Sequence, residues 1–283
     1  MSKVALVTIH GMGEQPLDYA DDMRRALQHK MGDAFVNVDV HSVYYQHLLK
    51  PNEQDVWNRT RERSKVRYEQ LRKFILFGFA DAAGLENRKE YDGSVYELAQ
   101  EEIARALLAI HAQRGPDTPI VMLAHSLGCQ VMSSFIYDAQ KRAGGGAVAA
   151  GIWKPGRMAD SLTAEQRSFL QCTTLRSVVT TGCNIPVFVA AHKRMDVKPI
   201  TKPTPGFSWL NLYDPDDALG WPLQPLEGGY ETLVEDRAIN AGQGILDFMT
   251  KSWNPLSHTA YWSAAPVIEP LASLLGEKGD VPL

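Results

Sequence analysis

Residues 4–9 form a short, β-branched apolar run that ends at His10-Gly11, the pattern of a strand covered on both faces of a parallel sheet. Residues 17–31 carry apolar side chains at helical spacing, and residues 36–45 return to a strand-like pattern. Strand, helix, strand in that order predicts a parallel pair joined by a crossover. In 96–111, Tyr96, Ala99, Ile103, Leu107 and Ile110 share one face, which predicts an amphipathic helix laid against the sheet. Residues 119–124 predict a strand and 127–141 a helix stopped by Gly144, Gly145 and Gly146; the stretch to Asp160 has loop composition. Further strands are expected at 175–181, 207–213 and 231–239, with a proline-bearing loop at 193–206. The rhythm is that of an α/β fold with a mostly parallel central sheet flanked by helices.

Residues 53–85 break this rhythm. A charged stretch is followed by an apolar one, which predicts a helical insertion of one or two helices. Between Arg59 and Lys73 there are seven basic residues against only Glu62 and Glu69, and then come Phe74, Ile75, Leu76, Phe77 and Phe79. So many large apolar side chains require a partner. The expectation is a lid beside the active site, with Phe74 and Phe77 lining an acyl pocket and the basic face suited to anionic lipid or an anionic substrate head. The plainer alternative is a solvated basic face and an apolar face in the core.

Composition adds bounds. A chain of 283 residues with 45% apolar content is expected to form a single domain over 1–283. A net charge of −4 offers no global attraction for nucleic acid. Cys129, Cys172 and Cys183 are an odd number without metal-ligand spacing, so reduced thiols and no metal are expected. The first residues lack the basic and apolar regions of a secretory signal, and the apolar run at 74–85 is broken by Gly78, Asp81 and Gly84, so the reading is of a cytoplasmic protein without a transmembrane helix. Nothing in the sequence calls for a cofactor.

The most informative segment is Ala124-His125-Ser126-Leu127-Gly128, a serine between a strand and a helix with small residues two positions to either side. A nucleophile elbow needs this pattern, because its strained turn lets neighbouring backbones pass closely while presenting the hydroxyl above the sheet. Ser126 is therefore the candidate nucleophile, and the Leu127 amide one oxyanion donor. His125, on the far side of the turn, reads as a packing residue. The loop His10-Gly11-Met12-Gly13-Glu14-Gln15 after the first strand supplies the second candidate donor, the Met12 amide.

In this arrangement the acid and base follow the nucleophile in that order. Only His192 and His258 lie beyond Ser126, and His192 leaves poor acids between them, so His258 is the candidate base. The acid is expected after the strand at 207–213, where Asp214, Asp216 and Asp217 cluster; Asp236 is the reserve.

Taken together, HGMGEQ, AHSLG, YDPDDALGWPLQPL and SHTAYW resemble the bacterial α/β-hydrolases related to DDHD-domain phospholipases and lipase-like esterases. The resemblance spans most of the chain and implies the α/β-hydrolase fold. It places the acid on Asp217, upstream of Trp221 and Pro225-Leu226, and agrees with a base at His258 followed by Tyr261-Trp262. The expected function is serine-dependent hydrolysis of a carboxylic ester, of a small molecule or a lipid, with peripheral membrane contact by the insertion. Acyl transfer or thioester cleavage would use the same residues, and a non-catalytic binding protein on the same fold is the reading outside enzymology.

Overall fold

Each described strand after the first is preceded by a helix that can fold back over the sheet, and the result is one parallel sheet. The computed structural model describes residues 3–48, 50–192, 198–241 and 261–277. Its strands are β1 (Val4–Ile9), β2 (Val38–Val43), β3 (Ile120–His125), β4 (Leu175–Thr181), β5 (Ser208–Tyr213) and β6 (Val234–Ala238). They pair in parallel in the order β2-β1-β3-β4-β5-β6. β1 and β3 are buried at every position, as their uninterrupted apolar sequences require.

Helices α1 (Asp21–Met31), α2 (Lys50–Arg63), α3 (Glu69–Glu86), α4 (Val95–Arg114), α5 (Leu127–Ala143), α6 (Ala164–Leu170), α7 (Ile185–Ala190), α8 (Tyr230–Leu233) and α9 (Ala265–Gly276) complete the described elements. One apolar layer joins the sheet to α4 and α5 through Ile103, Leu107, Met132 and Phe135, while the other joins it to α1 and α9 through Met23, Leu27, Val267 and Leu271. This is an α/β architecture, one parallel sheet with helices on both faces. Among the described residues no helix is long and apolar enough to cross a membrane.

The strand order reverses at β1 and β3: the chain leaves β1 for β2 on one side, and builds β4, β5 and β6 beyond β3 on the other. In open α/β sheets such a reversal is where the crossovers diverge and ligands bind, at the carboxyl ends of the strands. Both candidate oxyanion segments and Ser126 sit at that edge.

Several elements differ from their sequence expectation. β2 begins at Val38, because residues 32–37 wind as a 3-10 turn that leaves Val36 81% exposed. The first helix begins at Asp21 rather than Leu17, with acids Asp21 and Asp22 in its first turn and His29 and Lys30 in its last, matching the helix dipole. The expected strand at 231–239 opens as the short helix α8, which starts from Gly229 at φ 115°, before extending as β6. The insertion at 53–85 is the antiparallel pair α2 and α3, turning at Tyr68, which takes a left-handed backbone of φ 58° and ψ 46°.

Candidate active site

Ser126 occupies the turn between β3 and α5 with φ 52° and ψ −123°, a conformation that costs a non-glycine residue of order 1–3 kcal/mol. The surrounding structure over-determines it. The Ser126 N–H donates to the Thr181 carbonyl of β4 at 2.9 Å, and the Ser126 carbonyl accepts from the Cys129 N–H at 3.0 Å. A Cβ on Gly128 would stand 2.7 Å from the Ile9 carbonyl oxygen and closer still to that of His10; one on Gly11 would stand 2.6 Å from Ser126 Cβ. The two glycines are what lets the β1 loop and the elbow touch. Ser126 itself is buried.

His125 is buried against the end of β4. Its Nδ1 lies 3.1 Å from both the carbonyl and the hydroxyl oxygen of Thr181, and its ring meets those of Tyr261 and Trp262 at 5.5 and 5.8 Å. His192 is exposed just past the end of α7. His258 lies outside the described residues.

The loop after β1 rests on a buried aromatic floor. The Tyr45 hydroxyl donates to the His10 carbonyl at 2.7 Å, and His10 Nε2 accepts from the Tyr45 N–H at 3.1 Å. That bond fixes the tautomer, so Nδ1 carries the proton and donates to the Gly11 carbonyl at 2.8 Å. Burial lowers the His10 pKa to about 4, keeping the ring neutral. Met12 is half-buried on this loop, its sulfur set over the backbone of α3 at Gly78, where a Cβ would come within 2.6 Å of it. Lys73 of α3 pairs with Glu14 at 2.5 Å, and the Gly13 N–H donates to Asp81 Oδ2 at 2.7 Å. The insertion is thus clamped onto the candidate oxyanion loop. Neither Asp81 nor its neighbour Glu53 was singled out by sequence reasoning; the signal available was a lone aspartate inside an apolar helix.

Phe77 is buried with the Lys73 ammonium 5.3 Å from its ring centroid, and Phe74 one turn earlier is half-buried. Phe79 lies on the other side of α3, 74% exposed. Within the insertion Arg59 pairs with Asp55, and Arg61 with Glu69.

The three clustered aspartates separate by environment. Asp216 is exposed. Asp214 is buried and accepts from the Asp216 N–H at 2.9 Å and the Ala241 N–H at 2.8 Å, holding the turn and the chain after β6. Asp217 is buried, accepting from the Leu219 N–H and from the Tyr261 hydroxyl, both at 3.0 Å. The turn is fastened to the end of β4, since the Trp221 N–H donates to the Cys183 carbonyl at 2.9 Å and a Cβ on Gly220 would lie between Asp217 Oδ2 and the Gly182 backbone. Asp217 and Ser126 therefore share one edge of the sheet, with Tyr261 touching both Asp217 and His125. Asp236 is consumed structurally, accepting from Asn211 Nδ2 and from the Leu223 and Gln224 amides. Among the described residues no group of three or more His, Cys, Asp or Glu side chains is arranged to hold a metal ion.

No protein-family model matches the chain. No curated protein matches it either. Among solved structures, an acetyl xylan esterase aligns over 97% of this chain and 100% of its own at 10% identity with a TM-score of 0.44. A cutinase-like protein from Cryptococcus sp. aligns over 98% and 97% at 10% identity and a TM-score of 0.40. RedJ, in a structure with a PEG molecule bound in its active site, aligns over 97% and 92% at 13% identity and a TM-score of 0.38.

Proposed function

We propose that this chain is a single-domain serine hydrolase that cleaves carboxylic esters through an acyl-enzyme on Ser126. The observation that carries the reading is the Ser126 backbone at φ 52° and ψ −123° on the strand-to-helix turn at the sheet's switch point. A strained serine packed between two close-approach glycines serves no need of the core. It is the geometry that raises a hydroxyl above the sheet at a helix N-terminus.

In the proposed cycle, Ser126 Oγ attacks the ester carbonyl carbon while His258 takes the hydroxyl proton. The Met12 and Leu127 amides stabilise the oxyanion as it forms. Collapse breaks the bond to the alcohol, which leaves with the proton from His258. Water, deprotonated by the same imidazole, then attacks the acyl-enzyme, releasing the carboxylic acid and restoring the Ser126 hydroxyl. Asp217 holds the imidazole tautomer and stabilises its cation without itself taking the proton. Burial of Asp217 beside Tyr261, at the edge that carries Ser126, favours it over Asp214, whose carboxylate holds the turn. His258 follows Ser126 and Asp217 in the chain, the order that the base of such a triad takes.

A lipid-like or otherwise acylated substrate is the favoured class, because α3 is clamped to the oxyanion loop and brings Phe74 and Phe77 to that side of the molecule. A panel of p-nitrophenyl esters of rising acyl length, run on the wild type and Ser126→Ala, tests the reading. Turnover lost in Ser126→Ala with the fold retained is the expected result, and retention of most activity overturns it.

A further inference from the structure

The bond between Asp81 and the oxyanion loop crosses from an inserted helix to the first βα loop. Asp81 lies on the apolar helix α3, almost wholly buried, and spends Oδ2 on the Gly13 N–H. A charged side chain in such a place is costly unless paired. Behind it are Glu53 from α2 and Gln46 from the 3-10 turn at Gln46–Leu48, both buried close to the Asp81 carboxyl. Asp81 Oδ1 and both Glu53 carboxyl oxygens have no hydrogen-bond donor when the two acids are ionised. Two adjacent buried carboxylates cannot both stay charged, so the pair retains a proton.

We propose that Asp81 is a positioning residue of the reaction: by taking the Gly13 N–H it fixes the backbone that carries the Met12 amide, with protonated Glu53 holding its carboxylate in place. The inference rests on the serine-hydrolase reading above. The proton belongs on Glu53, whose pKa is raised by burial and then by the neighbouring Asp81, whereas Asp81 has the Gly13 amide to stabilise its charge. Asp81 acts through the loop and touches no reacting atom. Gly13, at φ 83° on this loop, sits between Met12, whose side chain rests on Gly78, and Glu14, paired with Lys73, so α3 grips three consecutive residues. A shift of the loop by about 1 Å is enough to cost on the order of 100-fold in rate.

The ionisable groups around the pair are Glu14 and Lys73 at the loop, Tyr45 beside Asp81, His10 and His47 beneath the loop, and Arg88 and Asp92 at the surface pocket that Glu53 lines. Burial holds Tyr45 protonated above the ordinary tyrosine range and His10 neutral above pH about 4, so neither titrates across the neutral-to-alkaline range.

The test uses the full chain with p-nitrophenyl acetate and a fluorophosphonate, in Asp81→Leu, Asp81→Asn and Glu53→Gln, with hydrogen exchange followed over residues 10–15. Asp81→Leu removes the acceptor and is expected to lower kcat on the order of 100-fold with KM changed less than about threefold. Exchange at the loop should speed up about tenfold or more. Asp81→Asn keeps an acceptor for Gly13 and should recover most of the kcat. The wild type is expected to lose kcat on the alkaline side as Glu53 gives up its proton; Glu53→Gln, whose amide donates to Asp81 at every pH, should abolish that fall. If Asp81→Leu does not fold, the Glu53→Gln pH profile decides. An active wild type with kcat insensitive to Asp81→Leu, or a pH profile identical in Glu53→Gln, overturns the positioning role alone. A wild type inert toward both reagents overturns the hydrolase reading, and the positioning role with it.

Discussion

At the scale of single residues, the site depends on what is absent from Gly11 and Gly128 as much as on what Ser126 presents. Gly128→Ala would drive a methyl group into the carbonyls of Ile9 and His10, both backbone atoms that cannot swing aside. A loss of about 1–3 kcal/mol in unfolding free energy is expected by denaturant titration, since overpacking a close contact costs that much. The three aspartates make a second comparison. Asp217→Asn should remove most of kcat, by about 10⁴-fold, while leaving the midpoint of unfolding nearly unchanged, because an amide can select the wrong imidazole tautomer. Asp214→Asn should reverse this, lowering stability by about 1–3 kcal/mol through its bonds to the Ala241 and Asp216 amides. Exposed Asp216 should show neither effect. Equal losses of kcat at all three positions would leave the acid unassigned.

At the scale of elements, the end of β1 and its loop form a unit whose stability depends on a neutral His10. Its pKa is lowered to about 4 in the fold and returns to the ordinary histidine value near 6.5 on unfolding. The unfolded chain therefore binds the extra proton first. Stability is full above pH about 6.5 and falls by about 3 kcal/mol as pH drops to 4, if His10 acts alone. Urea titrations between pH 7 and 4 measure this slope, and His10→Gln should flatten it; an unchanged slope would mean that other groups set it. The insertion gives the other element-scale prediction. Phe74→Ala should weaken turnover of long-chain esters more than acetate esters, because only long chains would reach that ring. Phe77, buried under Lys73, should in addition cost about 3–5 kcal/mol when truncated to alanine. Equal loss on long and short esters would place α3 outside the acyl path.

The elements also show what was legible in the sequence. β1, β3 and β4 follow from uninterrupted apolar runs, and the elbow follows from Ala124, Ser126 and Gly128, since a close backbone approach leaves its mark as small residues. α6 carried a readable start, with Thr163 and Gln166 forming a reciprocal capping box, but its short length hid it among loop residues. The helical opening of α8 depends on Gly229 at φ 115°, and glycine alone does not announce which turn it will make. Least legible was the grip of α3 on the loop after β1. Asp81 marked itself only as a polar break in an apolar run, and its partner Gly13 lies 68 residues away in sequence. Such a pairing belongs to the tertiary arrangement and has no local pattern.

For the whole molecule, the parallel sheet explains why residues so far apart in sequence meet. The reversal of strand order at β1 and β3 brings the loop after β1 beside the elbow after β3, and the turn after β5 is fastened to the end of β4. Each contributes one part of the proposed machinery to the same edge. A binding protein on this fold would have no use for a strained serine on the strand-to-helix turn, whereas a hydrolase needs one. The most direct test is labelling with a fluorophosphonate, followed by identification of the modified residue by mass spectrometry. The account predicts covalent labelling at Ser126 that is lost in Ser126→Ala and strongly slowed in His258→Ala; a folded wild type that stays unlabelled, or is labelled elsewhere, would contradict it.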